Sequence, residues 1–399
     1  MIKLDHLGQF YSAANCEKNP GTFGIGVHLN EDLIPELLQR AANDLMRRLP
    51  HLNTQEYRGF LHYFHKMRNG PIKIEKQGRA VPCRHFKKGG PLLRIIYGRR
   101  HFALVVLHSV CDGRSLAMAA SSLLIRYCEL LAINVNKSGF IDCAGRGRAA
   151  ETEDAYARHA DMRKSKSEKG RDVYIPAHRA AAPRIYTYKF DLRGIKPRAK
   201  ALGMTISEYI LAHIFREFAR QRAKEGGKKA ITCSIPIDCR AFFPSDSLKC
   251  FVTHKIIKMP ETWGFAGMAR GIKKQFAEIT PDYIQNNISE MEQMIRLGNF
   301  VPLFIKKWII RGIGRGATAG CSTAFSNLGL IQLPEEIRGK VSMYTFMLGA
   351  EAGMPYQFAC VATGDVLTLT ATVAAKDIGI VRRICRSLGA REDCYENSK

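Results

Sequence analysis

One segment constrains the fold of this chain more than any other: His101 to Leu131, HFALVVLHSVCDGRSLAMAASSLLIRYCELL. Phe102–Leu107 is an unbroken apolar run ending at His108, and a tight Asp112-Gly113 turn follows it. A run of that kind reads as a buried strand. Beyond the turn, Leu116, Ala119, Ala120, Leu123, Leu124, Tyr127, Leu130 and Leu131 repeat at i, i+3, i+4, i+7, the spacing of one helix face. His108 therefore stands where a core strand passes into a core helix, with a rigid backbone and a side chain free to reach a cavity.

The rest of the chain is organised around that junction. Its 399 residues exceed the ~250 to 300 at which a single core stops growing, so two packed units are expected. Thr22–Leu29 reads as a strand, followed by a helix capped by Asp32 with Pro35 in its first turn. Further strands are predicted at Arg58–His65 and Pro91–Tyr97. After the central helix, a Gly-, Arg- and Lys-rich stretch from Lys137 to about Arg184 marks the subdomain boundary. We divide the chain into an N-terminal unit (1–165), a basic linker (166–184) and a C-terminal unit (185–399).

The C-terminal unit opens with a strand at Ile185–Phe190. Thr205 to Glu208 then match a capping box ahead of a helix. Strands at Ala230–Ile237 and Cys250–Ile257 precede two or three helices within Phe265–Arg311. A strand cluster closes the chain at Thr323–Leu333, Val341–Leu348, Tyr356–Ala362 and Val366–Val373, with a last helix at Asp377–Leu388. Both units mix helix with sheet and no fixed-period repeat is visible, so the class is α/β (α+β), two layered units side by side.

Composition excludes several functions. At 46% hydrophobic and 24% charged the chain reads as globular, and no apolar run approaches the ~20 residues of a membrane span. The N-terminal MIKLDHLGQFY lacks the order of a signal peptide, so a cytoplasmic location is expected. The twelve cysteines never form a CxxC pair, which argues for reduced, buried thiols and no metal. The net charge is +25; basic residues are scattered, with two denser places at Arg158–Arg171 and Lys306–Arg315. The first run lacks the interleaved aromatics of a nucleic-acid platform, and no nucleic-acid partner is expected. In the second, Lys306, Lys307, Arg311 and Arg315 are placed to meet a phosphate-bearing coenzyme or simply water. The RGIGRG glycines there have no preceding strand and do not make a phosphate loop.

A histidine four residues before an aspartate is a cheap pattern, and His28 with Asp32 repeats it without a following glycine. His108 is distinguished by its buried strand and by Gly113, which lets the backbone approach closely. From residues alone, His108 is either a general base, with an ordinary pKa of ~6.5, or a satisfied core histidine. Asp112 either orients the imidazole or turns away to a buried arginine. Arg240, at a strand end among apolar residues, is the candidate partner. Cys111 is treated as a small core residue.

His108-Ser-Val-Cys-Asp112-Gly113 resembles the HxxxDG motif of the chloramphenicol acetyltransferase-like superfamily, which includes condensation domains and coenzyme A-dependent acyltransferases. Pro91-Leu-Leu-Arg94, Ser234-Ile-Pro236-Ile-Asp238-Cys-Arg240 with Phe243-Pro244, and Ser326-Asn327-Leu328-Gly329 before Leu333-Pro334 resemble its alcohol acetyltransferase-like branch in type and order. The resemblance spans nearly the whole chain. It implies two αβα subdomains forming a pseudo-dimer with an interfacial tunnel. It also implies His108 as general base, Asp112 and Gly113 shaping the turn, Arg240 as structural partner, and Ser326 and Asn327 as oxyanion candidates. Leu107 stands where condensation domains carry a second histidine, which argues against peptide-bond formation, and the DFGWG sequence of plant acyltransferases is absent.

The implied function is acetyl transfer from acetyl-CoA, as cosubstrate with no bound cofactor, to an alcohol acceptor in a ternary complex. The alternative is a non-catalytic module of the same fold that docks a ligand or a carrier protein. A monomer is expected.

Overall fold

The computed structural model describes the chain except residues 18, 78–84, 163–171, 179, 262–263, 299, 310–319, 350, 352, 391–393 and 397–399. The N-terminal half runs β1 (Ile2–Lys3), α1 (His6–Ala14), β2 (Thr22–Leu29), α2 (Pro35–Arg48), β3 (Thr54–Arg58), β4 (Tyr63–Met67), β5 (Ile74–Lys76), β6 (Leu93–Tyr97), β7 (His101–Leu107) and α3 (Gly113–Leu130). After the short α4 (Ala155–His159) come β8 (Ala180–Asp191), α5 (Leu192–Ala201), α6 (Ile206–Lys224), β9 (Thr232–Asp238), β10 (Val252–Lys258), α7 (Phe265–Ala277) and α8 (Pro281–Gly298). The chain closes with β11 (Thr323–Ile331), α9 (Glu335–Arg338), β12 (Val341–Leu348), β13 (Tyr356–Thr363), β14 (Val366–Ala375), α10 (Gly379–Leu388) and β15 (Cys394–Glu396).

These elements form two large sheets. The first has the order β12-β2-β7-β6-β5, and the second β10-β9-β11-β13-β14-β8-β15; a small sheet β1-β4-β3 stands apart. Each large sheet has its own core. One centres on β2, β7, α2 and α3, the other on β13, β14, α6 and α10. β7 lies in the middle of its sheet, which is why Phe102–Leu107 is apolar throughout and not alternating.

The two halves are tied in two ways. First, β12 comes from the C-terminal half of the chain yet pairs antiparallel with β2, so the first sheet is completed from the second half. A Cβ on Gly26 would lie 2.4 Å from Thr345 Oγ1, and glycine is what lets β12 close against β2 there. β12 also packs on the second sheet: Thr368 and Thr372 hydroxyls donate to the Tyr344 and Leu348 carbonyls at 2.8 and 2.6 Å.

Second, the described part of the expected boundary is a packed strap. Arg48 on α2 holds Glu151 through two 2.6 Å bonds in a buried pair. Tyr156 on α4 both donates to the Val252 carbonyl and accepts from its N–H, at 2.6 and 2.9 Å. Part of the expected 166–184 linker lies outside the described residues.

Three local expectations are corrected. Asp32 does not cap α2, which begins at Pro35 without a side-chain cap; its carboxylate accepts instead from Arg99 and Arg100 at 2.8 and 2.6 Å. The single strand expected at Arg58–His65 is a hairpin, because Gly59 to His62 make the turn between β3 and β4. Helices α1 and α5 are additional to the expected set. The capping box at Thr205 and Glu208 forms with both reciprocal bonds, at 3.2 and 2.7 Å.

Candidate active site

The His108 backbone is fixed as β7 ends, where its N–H donates to the Gly21 carbonyl at 2.8 Å. The imidazole lies flat against Tyr11 of α1, with ring centroids 4.3 Å apart and 4° between planes, and Phe23 of β2 closes another side at 4.7 Å. The ring bonds its own main-chain carbonyl, a geometry that only Nδ1 can reach. The same carbonyl accepts from the Cys250 thiol at 2.9 Å, and Cys250 Sγ stands 3.4 Å from Nδ1. The tautomer with the proton on Nδ1 satisfies that carbonyl and leaves the lone pair on Nε2. Burial lowers the imidazole pKa below its ordinary value, partly offset by the bond to its own carbonyl and by Asp112, so the ring is neutral at neutral pH.

Asp112 does not meet the imidazole. It caps α3 by accepting from the Ser115 N–H at 2.9 Å, and its other oxygen accepts from Arg240 at 2.7 Å and from the Phe251 N–H at 3.0 Å. Arg240 in turn bonds Asp238 at 2.9 Å and donates to the Ser247 and Lys249 carbonyls. Burial alone would lower the guanidinium pKa, but Asp112 and Asp238 outweigh it and hold Arg240 charged well above its usual range. Every strong donor and acceptor of this pair, whose side chains are 5% and 0% exposed, is occupied, which meets the condition for keeping an ion pair out of water. The pair joins the first turn of α3 to the chain entering β10, so it fixes one half against the other directly behind His108.

Gly113 is the first residue of α3, and a Cβ there would come within 3.0 Å of Leu328 and 3.4 Å of Phe346. Close approach of the helix start to β11 and β12 is therefore what glycine provides. Cys111 is fully buried, and desolvation pushes its thiol well up, away from the reactive thiolate.

Ser326 and Asn327 separate. Asn327 is engaged: its amide donates to Ser207 at the start of α6 at 2.8 Å, and its oxygen accepts from the Gly329 N–H at 2.8 Å. Ser326 pairs in register with Ala359 of β13 and shares a face with Ala324 two residues before it. Ala324 is in register with Ser234 on β9, whose hydroxyl lies 3.3 Å from His254 Nδ1. Ser326, Ser234 and His254 thus belong to the face of the second sheet that lies away from Phe325 and its core.

His254 is a site residue the sequence reading missed. Its ring is reachable by water. Surrounding protein nevertheless desolvates it and, with the charge of nearby His108, lowers its pKa to about 4. His108 is close enough for its charge to act on His254. Desolvation raises the Glu351 pKa to about 7, and Glu351 contributes to raising the Tyr11 hydroxyl. A groove beside α3 is lined by Arg114, Met118, Phe140, Leu328 and Ile331, and Arg114 there is paired with Asp238 at 2.8 Å. Arg311, Arg315 and the RGIGRG glycines lie outside the described residues. Lys306 is described and donates to the Leu61 carbonyl at 2.7 Å.

Asp5-x-x-Gly8 with Leu7 and Tyr11 at i, i+4 was the available signal for α1 and hence for the ring that stacks on His108. Nothing local marks His254 or Glu351, because their place depends on how the sheets meet.

No family model matches the sequence, and no curated protein does. Solved structures do resemble it throughout. Polyketide synthase associated protein 5 from Mycobacterium tuberculosis superposes with a TM-score of 0.64 at 11% identity, covering 97% of this chain and 96% of that one. The first condensation domain of the calcium-dependent antibiotic synthetase, in complex with a substrate analogue, gives 0.63 at 12% identity over 97% and 95%. The starter condensation domain of rhizomide synthetase, in complex with C8-CoA and Leu-SNAC, gives 0.63 at 10% identity over 97% and 93%. The chain has the fold of the condensation domains, the chloramphenicol acetyltransferase-like pseudo-dimer.

Proposed function

We propose that this chain is an acyl-CoA-dependent O-acyltransferase that moves an acetyl group from acetyl-CoA to an alcohol, with His108 as general base. The observation that carries the reading is the geometry of His108 at the end of β7, its ring held between Tyr11 and Phe23 with Nδ1 on the Cys250 side. Support also comes from the same fold in a starter condensation domain that binds C8-CoA.

In this scheme Nε2 takes the proton of the acceptor hydroxyl as its oxygen attacks the thioester carbonyl. Positioned base catalysis of this kind is worth ~10² to 10⁴-fold. The tetrahedral oxyanion is met by the Ser326 hydroxyl, since the Asn327 amide is already committed to Ser207. Collapse breaks the carbon–sulfur bond, and the proton on Nε2 passes to the coenzyme A sulfur, leaving an ester and free thiol. Arg240 and Asp112 do not touch the reacting atoms; they hold the turn that aims His108. No covalent intermediate on the protein is required, consistent with the raised pKa values of Cys111 and Cys250.

Thiol release from acetyl-CoA in the presence of a panel of alcohols and amines tests the reading. Turnover with alcohols that is lost in His108→Ala, with the fold intact, is the expected result. Coenzyme A binding without turnover on any acceptor would replace it by the non-catalytic module, docking a ligand or a carrier protein.

A further inference from the structure

The helical residues 303–309 sit on the surface in an inverted orientation. Leu303 points inward and its N–H donates to the Phe60 carbonyl at 2.9 Å, while Lys306 reaches back to Leu61 at 2.7 Å. The outward stripe is apolar: Phe304 is 70% exposed and Trp308, one turn on, 80%. Ile305 and Ile309 are exposed beside them. At neighbouring positions Leu297 near the end of α8 and Phe300 are 80% and 87% exposed, and Lys306 packs within 3.9 Å of where a Gly298 side chain would begin. Phe60, at the tip of the β3–β4 hairpin that anchors this helix, is also turned to solvent.

An amphipathic helix in a globular protein turns its apolar stripe to the core. Here the stripe faces out, in a patch much richer in aromatics than the scattered apolar surface of an ordinary protein. Charge identifies what covers it. Lys306 and Lys307 flank the stripe, and beside the hairpin Arg58, Lys87 and Lys88 line a common depression with the acidic Glu17. Arg296 and Glu292, paired at 3.0 Å on α8, are neutral together, as are Arg58 and Glu56 at 2.9 Å. The chain as a whole is at +25.

We propose that this face, Phe60, Leu297, Phe300, Phe304, Trp308 and Ile309 with lysines at its margin, docks the protein on an anionic lipid bilayer. Tryptophan and phenylalanine seat at the level of lipid headgroups, and flanking lysines meet anionic lipid; that combination is the signature of a helix lying in the interface plane. No helix among the described residues is long and apolar enough to cross a membrane, so the attachment is peripheral.

The test is co-sedimentation of the full chain with phosphatidylcholine vesicles prepared with and without phosphatidylglycerol, alongside tryptophan fluorescence. Binding to the phosphatidylglycerol vesicles with a blue shift is expected, weakening as salt rises. The variant Phe304→Ser/Trp308→Ser should lose at least about tenfold in vesicle affinity, as removal of buried apolar groups requires, with an unchanged melting temperature. The single variant Phe304→Ser keeps Trp308 as reporter. Absence of binding overturns the proposal, and so does binding that the double variant leaves undiminished, since that would be general attraction to a basic protein. A dimer in sedimentation velocity that the same substitutions dissolve, without vesicle binding, assigns the face to a second copy and overturns it too. None of these readouts depends on acyl transfer.

Discussion

At the scale of single residues, the chemistry turns on which side of His108 is engaged. Because burial places its pKa below the ordinary histidine value, the imidazole binds its proton only under acid conditions. For the proposed reaction, kcat/KM should be flat through neutral pH and fall only on the acid side of the ordinary histidine range. A rate that instead rises toward acid would mean the protonated ring is the active form. His108→Ala should lower kcat by ~10² or more, and should also lower the melting temperature because it empties the space against Tyr11 and Phe23; His108→Gln, which keeps most of that packing, should lose the rate with a smaller loss of stability. Asp112 differs in kind. Asp112→Ala leaves Arg240 charged and buried without its carboxylate, and should cost about 3 to 5 kcal/mol by chemical denaturation, the usual penalty for breaking a buried pair from one side. A variant as stable as the parent would show that Asp238 alone satisfies Arg240.

At the scale of elements, the strand–turn–helix around His108 was legible because its signals are local: an apolar run, an Asp-Gly turn and a single helix face. Arg240 could be paired with Asp112 on the argument that a charge among apolar residues needs a partner, and the structure puts them 2.7 Å apart. The strap from Ala149 to His159 was not legible. It reads as a polar linker because the residues that hold it, Glu151 and Tyr156, find partners about a hundred positions away, in Arg48 and Val252. Asp32 misled for a related reason: an aspartate ahead of a helix suits a cap, but two nearby arginines offered it more. The strap carries its own pH dependence. Burial would raise the Glu151 pKa, but the bonds from Arg48 and Arg148 prevail and bring it down to about 2. A carboxylate that is more acidic folded than unfolded contributes stability above its unfolded pKa and loses it as pH falls toward the folded one. Glu151→Gln should therefore be markedly less stable than the parent at neutral pH, and the gap should close between the ordinary carboxylate range and about pH 2. Urea melts across that window measure it; a gap independent of pH would mean that the pair contributes by packing alone.

At the scale of the whole molecule, each half has its own sheet and core, so two independent transitions would be the simple expectation for a 399-residue chain. The connections argue otherwise. β12 belongs by sequence to the second half, forms the edge of the first sheet, and its main chain accepts hydroxyl hydrogen bonds from the second. Asp112 with Arg240 adds a buried ion pair across the two halves, and Tyr156 bonds both backbone groups of Val252. Unfolding either half alone would strip β2 of a neighbour and leave buried charges unmet, at a cost comparable with the ~5 to 15 kcal/mol that stabilises a whole domain. We therefore expect one cooperative transition by scanning calorimetry, with equal calorimetric and van't Hoff enthalpies. Gly26→Val makes the same point from a chosen site, because the new side chain would collide with Thr345 and lift β12. Amide exchange should then quicken together in β7 of the first sheet and β14 of the second. Quickening confined to the first sheet would show that the halves are joined in space but fold as separate units.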